Sequence, residues 1–123
     1  MSSTQVGEYV EVEGLRTFFI KKGSGPAVLL LHGQAAGGCA SVMWGANMDH
    51  LAASGFTIYG LDEAGFGRTD NPTDFSIETR IAHAEAFTRA MGLHRYSMWG
   101  HSDGSYIAAS IALHDPRVDR LIL

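Results

Sequence analysis

The sequence predicts an α/β fold: a mostly parallel sheet with helices on both faces, entered through an amino-terminal hairpin. Three observations carry that prediction. Ala27-Val28-Leu29-Leu30-Leu31 is apolar without interruption, as expected of a strand covered on both faces. From there strand-like and helix-like stretches alternate, the pattern of parallel strands joined by helical crossovers. Gly100-His101-Ser102-Asp103-Gly104 then fits Gly-x-Ser-x-Gly, a pattern that places a serine on a sharp strand-to-helix turn with its hydroxyl thrust over the sheet end.

In chain order, Glu8 to Glu13 alternate Tyr9, Glu11 and Glu13 against Val10 and Val12, and Leu15 to Lys21 follow after Gly14, which makes a β-hairpin. Lys22-Gly-Ser-Gly-Pro26 is a turn cluster before the central strand at 27–31. The loop His32-Gly33-Gln34-Ala-Ala-Gly37-Gly38 runs to about Val42. A helix is then expected to Ser54, with Trp44, Met48 and Leu51 on its inner face and Gly55 as its stop. Phe56 to Leu61 is the next strand, and a second glycine-rich loop spans 62–72. Ser76 caps a helix carrying Ile77, Ile81, Ala84, Phe87 and Met91 on one face, ended by Gly92. Arg95 to Trp99 is a short buried strand. Ser105 to Leu113 reads as a helix apolar nearly all round, hence buried on most sides, and Val118 to Leu123 as a further strand. The loops at 32–42, 62–72 and 100–104 all leave carboxyl ends of strands, where α/β sheets bind ligands.

With 123 residues, 46% of them hydrophobic, residues 1–123 make at most one domain. A net charge of −4 without any Lys/Arg run excludes nucleic acid and anionic membranes as expected partners and leaves a small-molecule substrate. Cys39 is the single cysteine, so neither an internal disulfide nor a multi-cysteine metal site can form, which favours a reducing compartment. Residues 1–8 have neither a basic segment nor an apolar core, and no apolar run approaches a membrane span. The expectation is a soluble, cytoplasmic protein.

Leu31-His32-Gly33-Gln34, Leu61-Asp62-x-x-Gly65-Phe66-Gly67-Arg68-Thr69-Asp70 and Gly100-His101-Ser102-Asp103-Gly104, in this order, resemble the amino-terminal half of the α/β-hydrolase fold family across essentially the whole chain. Within it the chain looks most like single-domain esterases and carbon–carbon bond hydrolases. The resemblance implies Ser102 as nucleophile in a nucleophile elbow and the backbone N–H of Asp103 as one oxyanion-hole donor. The second donor is implied in the His-Gly loop, at Gln34 with Gly33 and Ala35 as alternatives. His32, Gly33, Gly100, His101 and Gly104 support this arrangement, and neither a metal nor an organic cofactor is implied. Asp62 is implied to organise the glycine loop rather than to act as an acid. Asp103 is one position past the apex that a carboxylate nucleophile would need.

A serine needs a base, and the base an orienting carboxylate. The family order puts both after the nucleophile, so they are expected beyond Leu123, and the chain as given is expected to be an inactive fragment of a longer hydrolase. None of its six histidines reads as a substitute. His101 should point to the opposite face from Ser102, and His32 shapes the loop. His50, His83 and His94 lie on or at the ends of helices on the polar side, and His114 lies about 15 Å away at the far helix end. Residues 118–123 would form an exposed edge strand prone to self-association. The alternative reading is a non-catalytic ligand-binding or structural member of the same fold.

Overall fold

The computed structural model describes residues 7–33 and 39–123. Its elements are β1 (Glu8–Val12), β2 (Leu15–Lys22), β3 (Ala27–Leu31), α1 (Ala40–Ala53), β4 (Thr57–Leu61), α2 (Ile77–Ala90), β5 (Tyr96–Gly100), α3 (Asp103–Ala112) and β6 (Val118–Ile122). They build one six-stranded sheet in the order β1-β2-β4-β3-β5-β6. The hairpin pairs antiparallel, and β2 continues antiparallel onto β4. The strands β4, β3, β5 and β6 are mutually parallel. No described helix is long and apolar enough to cross a membrane.

The uninterrupted apolar run of β3 has the expected cause. Strand side chains alternate between faces, and Leu29 and Leu31 enter one core with Phe19, Phe87, Met98, Ile107 and Ile111, beneath α2 and α3. Leu30 enters the other, with Ile20, Trp44, Met48 and Ile58, beneath α1. From β3 the chain passes to β4 on one side and returns across β3 to β5 on the other. Connections that diverge in this way open a crevice at the carboxyl ends of the strands.

Helix α2 starts as its sequence implies, with the Ser76 hydroxyl accepting a hydrogen bond from the Thr79 N–H. Its inner face holds more than the apolar stripe, because Arg80 and His83 are also buried. The placement of His83 on a polar side is therefore corrected. The Thr17 hydroxyl donates to the Leu15 carbonyl and so accepts from His83 Nε2 at 2.9 Å. His83 Nδ1 is left a bare acceptor with no partner among the described residues. Helix α3 is likewise less enclosed than its composition implied. Ile107, Ala108 and Ile111 are buried, but Tyr106 and Leu113 are exposed, because only one face of α3 meets the sheet. Strand β6 lies at the sheet edge with Ile122 exposed, as expected.

Burial holds the His83 pKa at about 4, below its ordinary 6.5. The unfolded chain therefore takes up this proton first as the pH falls. Stability present at neutral pH is lost progressively between pH 6.5 and pH 4, amounting to about 3 kcal/mol. Urea unfolding at pH 7 and pH 4.5 is expected to show a loss about 2–3 kcal/mol larger in the wild type than in His83→Gln, which has no imidazole to protonate.

Candidate active site

Register brings the three loops together. Leu31 pairs with Leu61 on one side and with Gly100 on the other, so His32, Asp62 and His101 are the first residues past a common sheet edge. At that edge Ser102 has φ 58° and ψ −121°, a conformation that L-residues rarely adopt and that stores strain. The strain is sustained by its surroundings. The His101 N–H donates to the Leu31 carbonyl, the Gly104 and Ser105 N–H groups return to the carbonyls of His101 and Ser102, and the Ser105 hydroxyl donates to the Gly100 carbonyl. Although Ser102 precedes α3, its side chain does not cap the helix, and it is exposed. Its hydroxyl is thus not spent on capping α3.

The flanking glycines are required by close approach. A Cβ on Gly100 would stand 2.5 Å from the Gly104 carbonyl carbon, and one on Gly104 would collide with the Leu31 carbonyl oxygen. A Cβ on Gly33 would stand 3.0 Å from Ser102 Cβ and 3.5 Å from His101 Nδ1. Gly33 is thus packed against both His101 and Ser102. Asp103 opens α3, where first-turn amides lack intrahelical acceptors and face the positive end of the helix dipole. Its N–H is therefore a first-turn amide at the positive end of α3. Gln34 and Ala35, implied as partners of that amide, lie outside the described residues.

His32 is wholly buried with both ring nitrogens engaged. Nε2 accepts the Glu63 N–H at 3.0 Å, which leaves the proton on Nδ1 to be donated to the Gly33 carbonyl at 2.8 Å. These two bonds tie Gly33 to Glu63 through the ring. Asp62 is also structural in its contacts: its carboxylate accepts the Ala40 N–H, starting α1 where Cys39 provides no side-chain cap, and the Arg68 N–H of the glycine loop. The Thr69 hydroxyl donates to the Asp62 carbonyl and accepts the Phe18 N–H, fastening that loop to β2. The remaining histidines stand apart from Ser102 chemistry. His50 and His94 are exposed, and His114 is bonded to Glu85 at 2.8 Å, which raises its pKa.

Two residues went unnoticed in the sequence. Glu63 is wholly buried, and Arg80 nearly so. Arg80 Nε and Nη2 both donate to Glu63 Oε1, at 3.0 and 2.7 Å, while Nη1 lies 3.4 Å from Asp103 Oδ2. The guanidinium also stands 4.8 Å from the Phe66 ring centroid, and Phe66 meets His32 edge-on. Burial pushes the Glu63 carboxyl above its usual range against the pull of His32 and Arg80. The available signal was spacing: Arg80 falls three residues after Ile77 and four before Ala84, inside the apolar stripe of α2.

A family description of the alpha/beta hydrolase fold matches residues 26–123. The chain is 30% identical over 125 residues to 2-hydroxymuconate semialdehyde hydrolase of Pseudomonas sp. (strain CF600), covering 99% of this chain and 44% of that protein. It is also 30% identical over 112 residues to bifunctional epoxide hydrolase 2 of Sus scrofa, covering 89% of this chain and 20% of that one. Among solved structures, a meta-cleavage product hydrolase from Pseudomonas fluorescens IP01 superposes with a TM-score of 0.88 at 26% identity, over 95% of this chain and 44% of the other. An epoxide hydrolase from Vigna radiata superposes at 0.85 and 23% identity, over 94% and 38%, a likeness of fold alone. The chain thus spans less than half the length of each of these proteins.

Proposed function

The chain belongs to the alpha/beta hydrolase fold family, and from that premise we propose that it carries the nucleophile half of a serine hydrolase acting on a small ester or a related carbonyl compound. The observation that carries this reading is the strained Ser102 backbone with its unspent hydroxyl, set directly before the first amide of α3. Ser102 Oγ attacks the substrate carbonyl carbon. The oxygen that becomes negative is received by the Asp103 N–H and by a second amide of the His32-Gly33-Gln34 loop, and collapse of the tetrahedral species expels the leaving group and leaves an acyl-enzyme. Each such amide typically lowers the barrier by about 3 kcal/mol.

The apex geometry favours serine over carboxylate chemistry. The positive φ belongs to Ser102, whereas Asp103 is already helical. Similarity to a semialdehyde hydrolase and a meta-cleavage product hydrolase supports cleavage beside a carbonyl, including carbon–carbon cleavage. The proton of Ser102 goes to a histidine oriented by a carboxylate, both following the nucleophile in this family. Residues 1–123 alone are accordingly proposed to be incompetent in turnover.

The test uses the protein expressed from its complete reading frame. A fluorophosphonate is expected to label Ser102, identified by mass spectrometry, and Ser102→Ala is expected to abolish labelling. Undiminished labelling of Ser102→Ala would sink the assignment.

A further inference from the structure

The buried Glu63–Arg80 pair reaches the candidate catalytic turn through the Asp103 carboxylate. Two nitrogens of Arg80 are committed to Glu63, and the third, Nη1, lies 3.4 Å from the Asp103 carboxylate. In the proposed mechanism the Asp103 amide receives the oxyanion, and the Asp103 side chain is 39% exposed. A carboxylate in the first turn of a helix suits the dipole, yet here it competes with the anion that the same helix end is to stabilise. Two unit negative charges about 6 Å apart at an effective dielectric of about 20 repel enough to slow a reaction roughly a hundredfold, and partial exposure reduces this to nearer tenfold.

Resting on the serine-hydrolase reading, we propose that Arg80 is a positioning residue that draws the Asp103 carboxylate toward α2, offsets its charge, and so keeps the Asp103 amide available to an oxyanion. The architecture suits the task. Arg80 is 3% exposed on a regular helix, its fork is fixed by Glu63, and Phe66 stands against its guanidinium. Lysine offers one ammonium point charge where arginine reaches two carboxylates at once. A solvent-facing cation would be screened and mobile, and this one is neither.

The test measures the second-order rate at which a fluorophosphonate labels Ser102, in the protein from its complete reading frame. In that reaction the Oγ–P bond forms, the P–F bond breaks, fluoride leaves, and the hydroxyl proton passes to the enzyme's base. Removing Arg80 alone would strand the Glu63 carboxylate, so Glu63→Gln is the reference. Adding Arg80→Gln is expected to slow labelling about tenfold, and adding Asp103→Asn to that double variant is expected to restore the rate to within about threefold of the reference. A structural role for Arg80 would not be repaired by deleting a charge on a neighbouring residue. A double variant as fast as the reference, or a triple variant as slow as the double, overturns the proposal. Should circular dichroism show the double variant unfolded, Arg80→Lys with and without Asp103→Asn supplies the same comparison, and absence of rescue again overturns it. Wild-type protein that fails to label at all would fail the serine-hydrolase reading itself and take this inference with it, whereas wild-type labelling without rescue fails this inference alone.

Discussion

Replacing Gly104 with alanine is expected to destabilise the protein by about 3 kcal/mol or more and to slow fluorophosphonate labelling of Ser102 about a hundredfold. A Cβ at this position would collide with the Leu31 carbonyl oxygen and stand 2.7 Å from its carbon and 2.9 Å from the His32 carbonyl oxygen. These are backbone atoms at and just past the end of β3, the strand paired with both β4 and β5, and they cannot rotate away as a side chain would. The start of α3 must therefore lift off β3. Lifting it disturbs the turn in which the Gly104 N–H returns to the His101 carbonyl and the His101 N–H to the Leu31 carbonyl. Urea unfolding reads the first effect and labelling of the folded fraction reads the second. A variant with wild-type stability and wild-type labelling would show that the turn is more compliant than these distances imply.

Arg80→Met should cost about 3–5 kcal/mol, because it leaves the Glu63 carboxylate buried without its counter-ion. Glu63 Oε2 already lacks a hydrogen-bond partner among the described residues, so the loss of both guanidinium bonds to Oε1 leaves nothing but the distant His32 ring edge, 3.7 Å from Oε2. The deficit should depend on pH in a defined direction. Burial already raises the Glu63 pKa, and losing Arg80 raises it further. The penalty is therefore full at high pH and shrinks as the pH falls and folded Glu63 takes up a proton. Adding Glu63→Gln should recover more than half of the lost stability at pH 7. Urea midpoints of the three chains at pH 7 and pH 5 measure both effects, and a deficit that grows on acidification would refute the assignment of the cost to a stranded carboxylate.

Most strand and helix positions were legible because the physics that sets them is local. Ala27–Leu31 reads as a doubly covered strand from its unbroken apolar run, and its side chains do divide between two cores. Ser76 and Gly92 bracket α2 because a hydroxyl satisfies a first-turn amide and glycine tolerates the φ of 70° that ends the helix. Asp62 could be assigned to the glycine loop from its motif, and its carboxylate does join that loop to α1. Exposure was less legible. Ser105 to Leu113 is apolar nearly all round, yet Tyr106 and Leu113 face outward, since composition does not say how many neighbours a helix has.

The turn at this edge is legible in the sequence. Gly-x-Ser-x-Gly after a strand specifies a strained turn with a serine at its apex, because small neighbours are the only ones that fit, and the structure places Ser102 there with φ 58°. Tertiary structure alone decided what surrounds that turn. Glu63, Arg80 and Asp103 lie in three separate segments, and their positions along the chain do not show that they meet. Only the folding of α2 against the sheet encloses Arg80 between the two carboxylates. A buried charge is tolerable where its partners are brought to it, and their approach depends on long-range packing that no local pattern of residues encodes.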